Sequence, residues 1–159
     1  MNNLANTVAD GFIGSYKDFT LRVHTLSEKL SEEQFWTRPF PYGNSFGHLT
    51  LHIIGNLNHF IGAGIAKTGY VRDREREFTD QSPPSKDAVL KELDQAVALV
   101  IETIRTQTSE DWSINYEAGK TADFVKDRFS VLLRSTTHFH HHLGQMIYLE
   151  KQLYENAGK

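Results

Sequence analysis

His138 and His142 stand four residues apart near the end of a 159-residue chain, and His48 and His52 repeat that spacing in its first third. On an α-helix such residues share a face, with Cβ atoms roughly 5–6 Å apart. Two imidazoles so placed can both reach one ion at nitrogen–metal distances of about 2.0–2.1 Å. The chain holds eight His and no Cys. Disulfides, thiolate zinc sites, iron–sulfur clusters and a cysteine nucleophile are therefore excluded. Any metal chemistry has to rest on imidazole and carboxylate ligands.

At about 100° per residue around a helix, His138, His142 and Gln145 fall in one narrow sector that borders an apolar stripe. His140 and His141 point away from it. His52 and Asn56 border the stripe of their own helix in the same way, whereas His48 and His59 lie further round, toward solvent or a cavity rim. His52, His138 and His142 are thus the candidate metal ligands. Gln145, Asn56, His48 and His59 are candidates for supporting those ligands or touching a substrate. His24, alone on the first helix, reads as structural or exposed.

The elements that must position these residues are helical. Leu4, Val8, Phe12, Tyr16, Phe19, Val23, Leu26 and Leu30 recur at steps of three and four, which is the period of one buried helix face. Ser31-Glu32-Glu33-Gln34 matches a capping box and predicts a further short turn. A loop with two prolines and a glycine, Thr37 to Asn44, precedes Ser45, the expected N-cap of a second helix that runs to about Lys67 and stops at Gly69. Its apolar positions are Phe46, Leu49, Ile53, Leu57 and Phe60.

A link from Tyr70 to Pro84 follows, and Ser85 can cap a third helix whose stripe is Leu90, Leu93, Val97, Val100, Ile101 and Ile104. Ser109 to about Ala122, with Gly119 inside it, reads as a second long loop. The fourth helix starts between Thr121 and Arg128 and runs to about Tyr154, with Val125, Phe129, Leu132, Thr136, Phe139, Leu143, Met146 or Ile147, and Leu153 inward. The fold class expected is all-α, a four-helix bundle forming one domain over residues 1–159 with long links between helices.

Lys and Arg total 17 against 20 Asp and Glu, a net charge of −3. That balance lacks the basic footprint of a nucleic-acid binder. Met1 to Asn6 has no basic stretch leading into an apolar run, so no signal peptide is expected. The longest membrane-like stretch, Ala96 to Ile101, falls far short of the ~20 residues that span a bilayer. A cytoplasmic protein acting on a small molecule fits these exclusions.

Two segments resemble a known family. Ser45-Phe46-Gly47-His48-Leu49-Thr50-Leu51-His52-Ile53-Ile54-Gly55-Asn56-Leu57 is similar to the second-helix signature of the DinB/YfiT-like superfamily. His138-Phe139-His140-His141-His142-Leu143-Gly144-Gln145-Met146 resembles its fourth-helix signature, in which Leu143 stands where Arg is frequent. The order and separation of the two motifs agree as well. The resemblance implies a four-helix bundle, often a homodimer, with a divalent metal held by three His; by position these are His52, His138 and His142. The run Arg72-Asp73-Arg74-Glu75-Arg76-Glu77-Phe78 also resembles a feature of one bacterial subgroup.

Three neutral His leave Zn²⁺ or Ni²⁺ with open positions for water or substrate. Such an ion lowers the pKa of bound water toward about 7, or holds a substrate thiol as its thiolate. The resemblance implies relatives that use low-molecular-weight thiols such as bacillithiol or mycothiol as cosubstrates. The expected activity is therefore that of a metal-dependent hydrolase or thiol-S-transferase; the alternative is a non-catalytic metal-binding or structural helical dimer. Spacing selects no general base, although Glu150 and Asp73 are available. The alternating Arg72–Glu77 run reads first as a solvated, self-paired loop and second as an anion clamp. Trp36, Trp112 and Tyr42 read first as packing residues and second as pocket lining. No Ser/His/Asp motif or glycine-rich phosphate loop is present.

Overall fold

The computed structural model of the chain describes residues 4–79, 81–117 and 124–156. Helix α1 spans Leu4–Ser27, α2 Glu32–Trp36, α3 Phe46–Leu57, α4 Lys86–Arg105 and α5 Arg128–Asn156. Among the described residues no strand forms, only an isolated bridge between Asn115 and Asp127. The starts of α2, α3 and α4 follow from local chemistry. Ser31 accepts from the Gln34 N–H while Gln34 Oε1 accepts from the Ser31 N–H, at 3.1 and 2.9 Å. Ser45 and Ser85 accept in the same way from the His48 and Ala88 N–H groups. Each such cap stabilises its helix by about 1 kcal/mol.

Helices α1 and α3 both pack on α4 and α5, so the four long elements enclose one core with α1 chiefly diagonal to α3. Sequence order and spatial order therefore differ, and the long links carry the chain across the bundle. Tyr16, Val23, Ile53, Leu57, Leu93, Val100, Ile104, Leu132, Phe139, Leu143 and Met146 are all but inaccessible. Burying side chains of this kind contributes about 1.5–3 kcal/mol each. The expected stripes match this core with two exceptions. Leu4 is exposed at the open end of α1, and Phe129 lies on the first turn of α5, half-covered by an edge contact to Phe12. Among the described residues no helix is long and apolar enough to cross a membrane. Gly119 and the middle of the second long link lie outside the described residues.

The second helix departs from its expected regularity. After Leu57 the backbone widens into a π-helical turn over Asn58–Ala63, with the Gly64 and Ala66 N–H groups bonding five residues back to His59 and Ile61. That widening leaves the Phe60 carbonyl free to accept from the Tyr116 hydroxyl at 2.9 Å. Gly64 is required at this point because a Cβ there would strike both partners of the bond. Apolar spacing barely changes across one π turn, which is why the sequence pattern reads as a continuous helix.

Candidate metal site

Helices α3 and α5 face each other over their middle turns and bring His52, His138 and His142 together. His52 is buried and the other two are half-buried. His138 Nε2 lies 3.3 Å from His52 Nε2 and 3.1 Å from His142 Nε2. Three nitrogens bound tetrahedrally at about 2.0–2.1 Å from one ion stand roughly 3.3–3.4 Å from each other, and slightly closer in octahedral geometry. The observed spacing fits that requirement. The chain thus carries a three-His cluster that could hold a metal ion.

The far sides of two rings are already engaged. The His52 Nδ1–H donates to Glu77 Oε2 at 2.8 Å, and the His142 Nδ1–H donates to Gln145 Oε1 at 2.6 Å. Glu77 is the nearer and anionic partner of His52 Nδ1, ahead of Arg72 Nη2 at 3.2 Å, so each bond places the proton on Nδ1 and leaves Nε2 with a lone pair, the form a ligand needs. Two lone pairs therefore converge beside His138 Nε2. Such convergence is unfavourable in a bare protein and favourable around a cation.

Glu77 is the residue the sequence reading did not select. It sits in a 3₁₀ turn, Arg76–Phe78, with a side chain only 6% exposed. Arg72 grips its carboxylate from behind, Nε to Oε1 at 2.6 Å and Nη2 to Oε2 at 2.8 Å. Burial acts to raise the Glu77 pKa, but the hydrogen bonds from His52 and Arg72, with the Arg72 charge, outweigh it and hold the carboxyl below its usual range. The carboxylate reaches His52 across Gly55, where a Cβ would fall on Glu77 Oε1. Phe78 then covers one side of the His52 ring, centroids 5.2 Å apart. The run expected to be solvated is self-paired, as its charges suggest, but the pair formed by its two ends, Arg72 and Glu77, is largely withdrawn from solvent. Arg72 is consumed within the protein and is no anion clamp.

The remaining candidates divide. Gln145 is at the site, holding His142. His48 is not at a rim: it is completely buried, 2.7 Å from Ser45 Oγ through Nδ1 and packed edge-on against Trp36. Its position at the end of α3, roofed by α2, overrides what the helical wheel alone shows. Asn56 is buried on α3. His59, half-buried in the π turn, is pushed down in pKa by burial and by the Arg72 charge, with Glu77 opposing. His140 stacks on Phe19, away from the cluster. His141 lies on the cavity mouth, its ring 5.1 Å from that of His142, a place the wheel did not give it. Leu143 is fully buried in the core, so the residue standing in place of the motif's Arg adds no charge to the site. Glu150 is buried and paired with Lys29, and Asp73 caps the Arg76 N–H. Trp112 stacks on Phe12 as packing.

Burial first, and then the rings of His142 and His52, push His138 down to about 3. Burial likewise takes His142 to about 4, against the opposing hydrogen bond to Gln145. Both are thereby kept in the unprotonated form that binds metal. Lowered histidine values penalise folding in acid: above the ordinary value near 6.5 they contribute nothing. Below it the unfolded chain takes up protons that the native cluster refuses. Metal-free protein is therefore expected to lose stability steadily between about pH 6.5 and 5, where carboxylates remain ionised. Urea midpoints across that range check this, and a His138→Ala, His142→Ala double variant should show a flatter profile. An equally steep fall in that variant would exclude the cluster as the cause.

Comparison with known proteins agrees with this architecture. A search among curated proteins finds no match. Among solved structures, the chain is similar to a DinB-like protein from Bacillus cereus ATCC 10987, with a TM-score of 0.68 and 18% sequence identity. The match covers 90% of this chain and 91% of that one, and at such identity it speaks for the shared fold. The sequence model of the DinB superfamily matches residues 20–146, a span that includes all three clustered histidines. With most of its length matched by that model, the chain belongs to the DinB superfamily.

Proposed function

We propose that the protein is a metal-dependent enzyme in which His52, His138 and His142 hold one divalent ion, nickel or zinc, at the base of an open cavity. The observation that carries this reading is the convergence of three Nε2 atoms at ligand spacing, with the Nδ1 atoms of His52 and His142 held by Glu77 and Gln145. The ion supplies Lewis-acid chemistry, lowering the pKa of water or a thiol that enters its open positions. Glu77 and Gln145 keep two of the rings in the ligand tautomer and orientation.

Between a hydrolase and a thiol-S-transferase, the cavity favours the second. None of its described lining residues is a carboxylate, so no acidic side chain stands ready as a general base for water. A low-molecular-weight thiol needs less help, because coordination itself stabilises the thiolate. His141 lines the rim beside His142 and would be available to accept a proton from an entering thiol.

Metal analysis of untagged protein, purified without added metal, tests the reading. Close to one nickel or zinc ion per chain is expected, with a rise in melting temperature when either ion is returned after chelation. Metal-free protein whose melting ignores both ions would refute it. Stoichiometric metal without turnover across a screen of thiols and electrophiles would instead favour a non-catalytic metal-binding bundle.

A further inference from the structure

Arg134 lies one turn ahead of His138 on α5, so Arg134, His138 and His142 form a ladder on one face at intervals of four. These three, with His52, His141 and Phe124, line most of an open cavity of about 570 Å³. The other lining residue, Thr137, turns its hydroxyl back to the Leu133 and Arg134 carbonyls of its own helix. Arg134 is half-buried, and among the described residues its guanidinium meets no carboxylate and no hydrogen-bond acceptor. The part-buried arginines Arg72 and Arg128 differ. Arg72 is closed on Glu77, and Arg128 reaches Gln107 and Asp111.

The charge of the cavity follows by addition. Three neutral imidazoles leave a divalent ion's charge undiminished, Glu77 and Arg72 cancel behind His52, and Arg134 adds one more positive charge. No acid among the described lining residues offsets it. A partly desolvated guanidinium that meets no counter-charge among the described residues favours the arrival of an anion, and its fork matches the two oxygens of a carboxylate or phosphate. We infer that Arg134 is an anion-binding residue of this site, taking a substrate with a carboxylate or phosphate group that lies between the guanidinium and the three-His cluster. Phe124, more than half exposed at the mouth, covers the apolar part of the same molecule.

This inference rests on the metal reading above, and one experiment separates their failures. Protein loaded with Co²⁺ is titrated with acetate, with inorganic phosphate and with neutral imidazole, following the visible absorption of the ion, and metal content is measured on each sample. Arg134→Gln is expected to weaken acetate or phosphate binding by about 10- to 100-fold, the range for a charge-assisted hydrogen bond. Imidazole, which has no use for Arg134, should change by less than about twofold, and Arg134→Lys should fall between the two for the anions. The anion held more tightly by wild type identifies the group as carboxylate or phosphate. Unchanged anion affinity in fully loaded Arg134→Gln overturns the inference alone, as does an equal loss for imidazole. Wild-type protein that takes up no Co²⁺ overturns the metal reading and the inference with it.

Discussion

Replacing His138 by Ala is expected to abolish stoichiometric metal binding while leaving metal-free protein about as stable as wild type. His138 is the middle member of the cluster, within 3.3 Å of both other Nε2 atoms. Without it only His52 and His142 remain, one on each helix. In wild type, metal at 100 times its Kd adds about 2.7 kcal/mol to stability, a rise in Tm of roughly 5–10 °C for a domain of this size. The variant should shift by no more than about 1 °C. Its metal-free form loses some packing but is relieved of an imidazole held neutral among other lone pairs, so a net change within about 1 kcal/mol is expected. Melting curves with and without Zn²⁺ or Ni²⁺, beside metal content, decide the matter. A variant that still carries one tightly held ion would remove His138 from the ligand set.

The second large effect lies at Glu77, which touches no substrate and acts through His52. Removing the carboxylate leaves Arg72, only 12% exposed, as an unpaired charge under the bundle surface. Glu77→Ala should therefore cost about 3–5 kcal/mol of stability and, in addition, 10- to 100-fold in metal affinity. The two losses can be pulled apart. Replacing the pair together, Glu77→Met with Arg72→Leu, removes both charges and should recover most of the stability. It should not recover the metal affinity, because the His52 Nδ1–H has still lost its acceptor. Gly55→Ala gives the complementary case: its Cβ displaces Glu77 Oε1 while every charge is kept. Weaker metal binding is expected there too. Metal affinity restored in the double replacement would show that Glu77 matters only for folding.

Much of this was legible in the residues. Apolar steps of three and four gave all four long helices, and Ser31, Ser45 and Ser85 marked helix starts through the caps they form. The wheel sets His52, His138 and His142 beside the stripes that face the seam between two helices, with Gln145 one turn along from His142, and those directions are set by local geometry. Glu77 was hidden for the opposite reason. Alternating charges from Arg72 to Glu77 look alike in sequence, and only the approach of α3 decides which one is buried. A signal did exist: Gly55 lies three residues after His52 on the same face, and a mid-helix glycine often marks close approach by another group. Arg134 carries the same four-residue spacing as the histidines, but spacing alone does not tell a cavity arginine from one paired on the helix surface. His48 was misplaced because a wheel treats a helix as endless, whereas at a terminus neighbouring elements can cap the exposed side.

His138 and His142 need only one turn of helix to be neighbours, but His52 is 86 positions from His138 along the chain. An ion shared by all three would therefore work as a cross-link in a protein that has no cysteine to make one. The local pair needs only that turn to be formed, so a partly unfolded chain that keeps the turn still offers both rings. Closing a loop of this length in an unfolded chain, by contrast, costs about 4–5 kcal/mol. His52 would thus be the member that makes a bound ion prefer the folded chain, and the staple so completed is one that a chelator would remove.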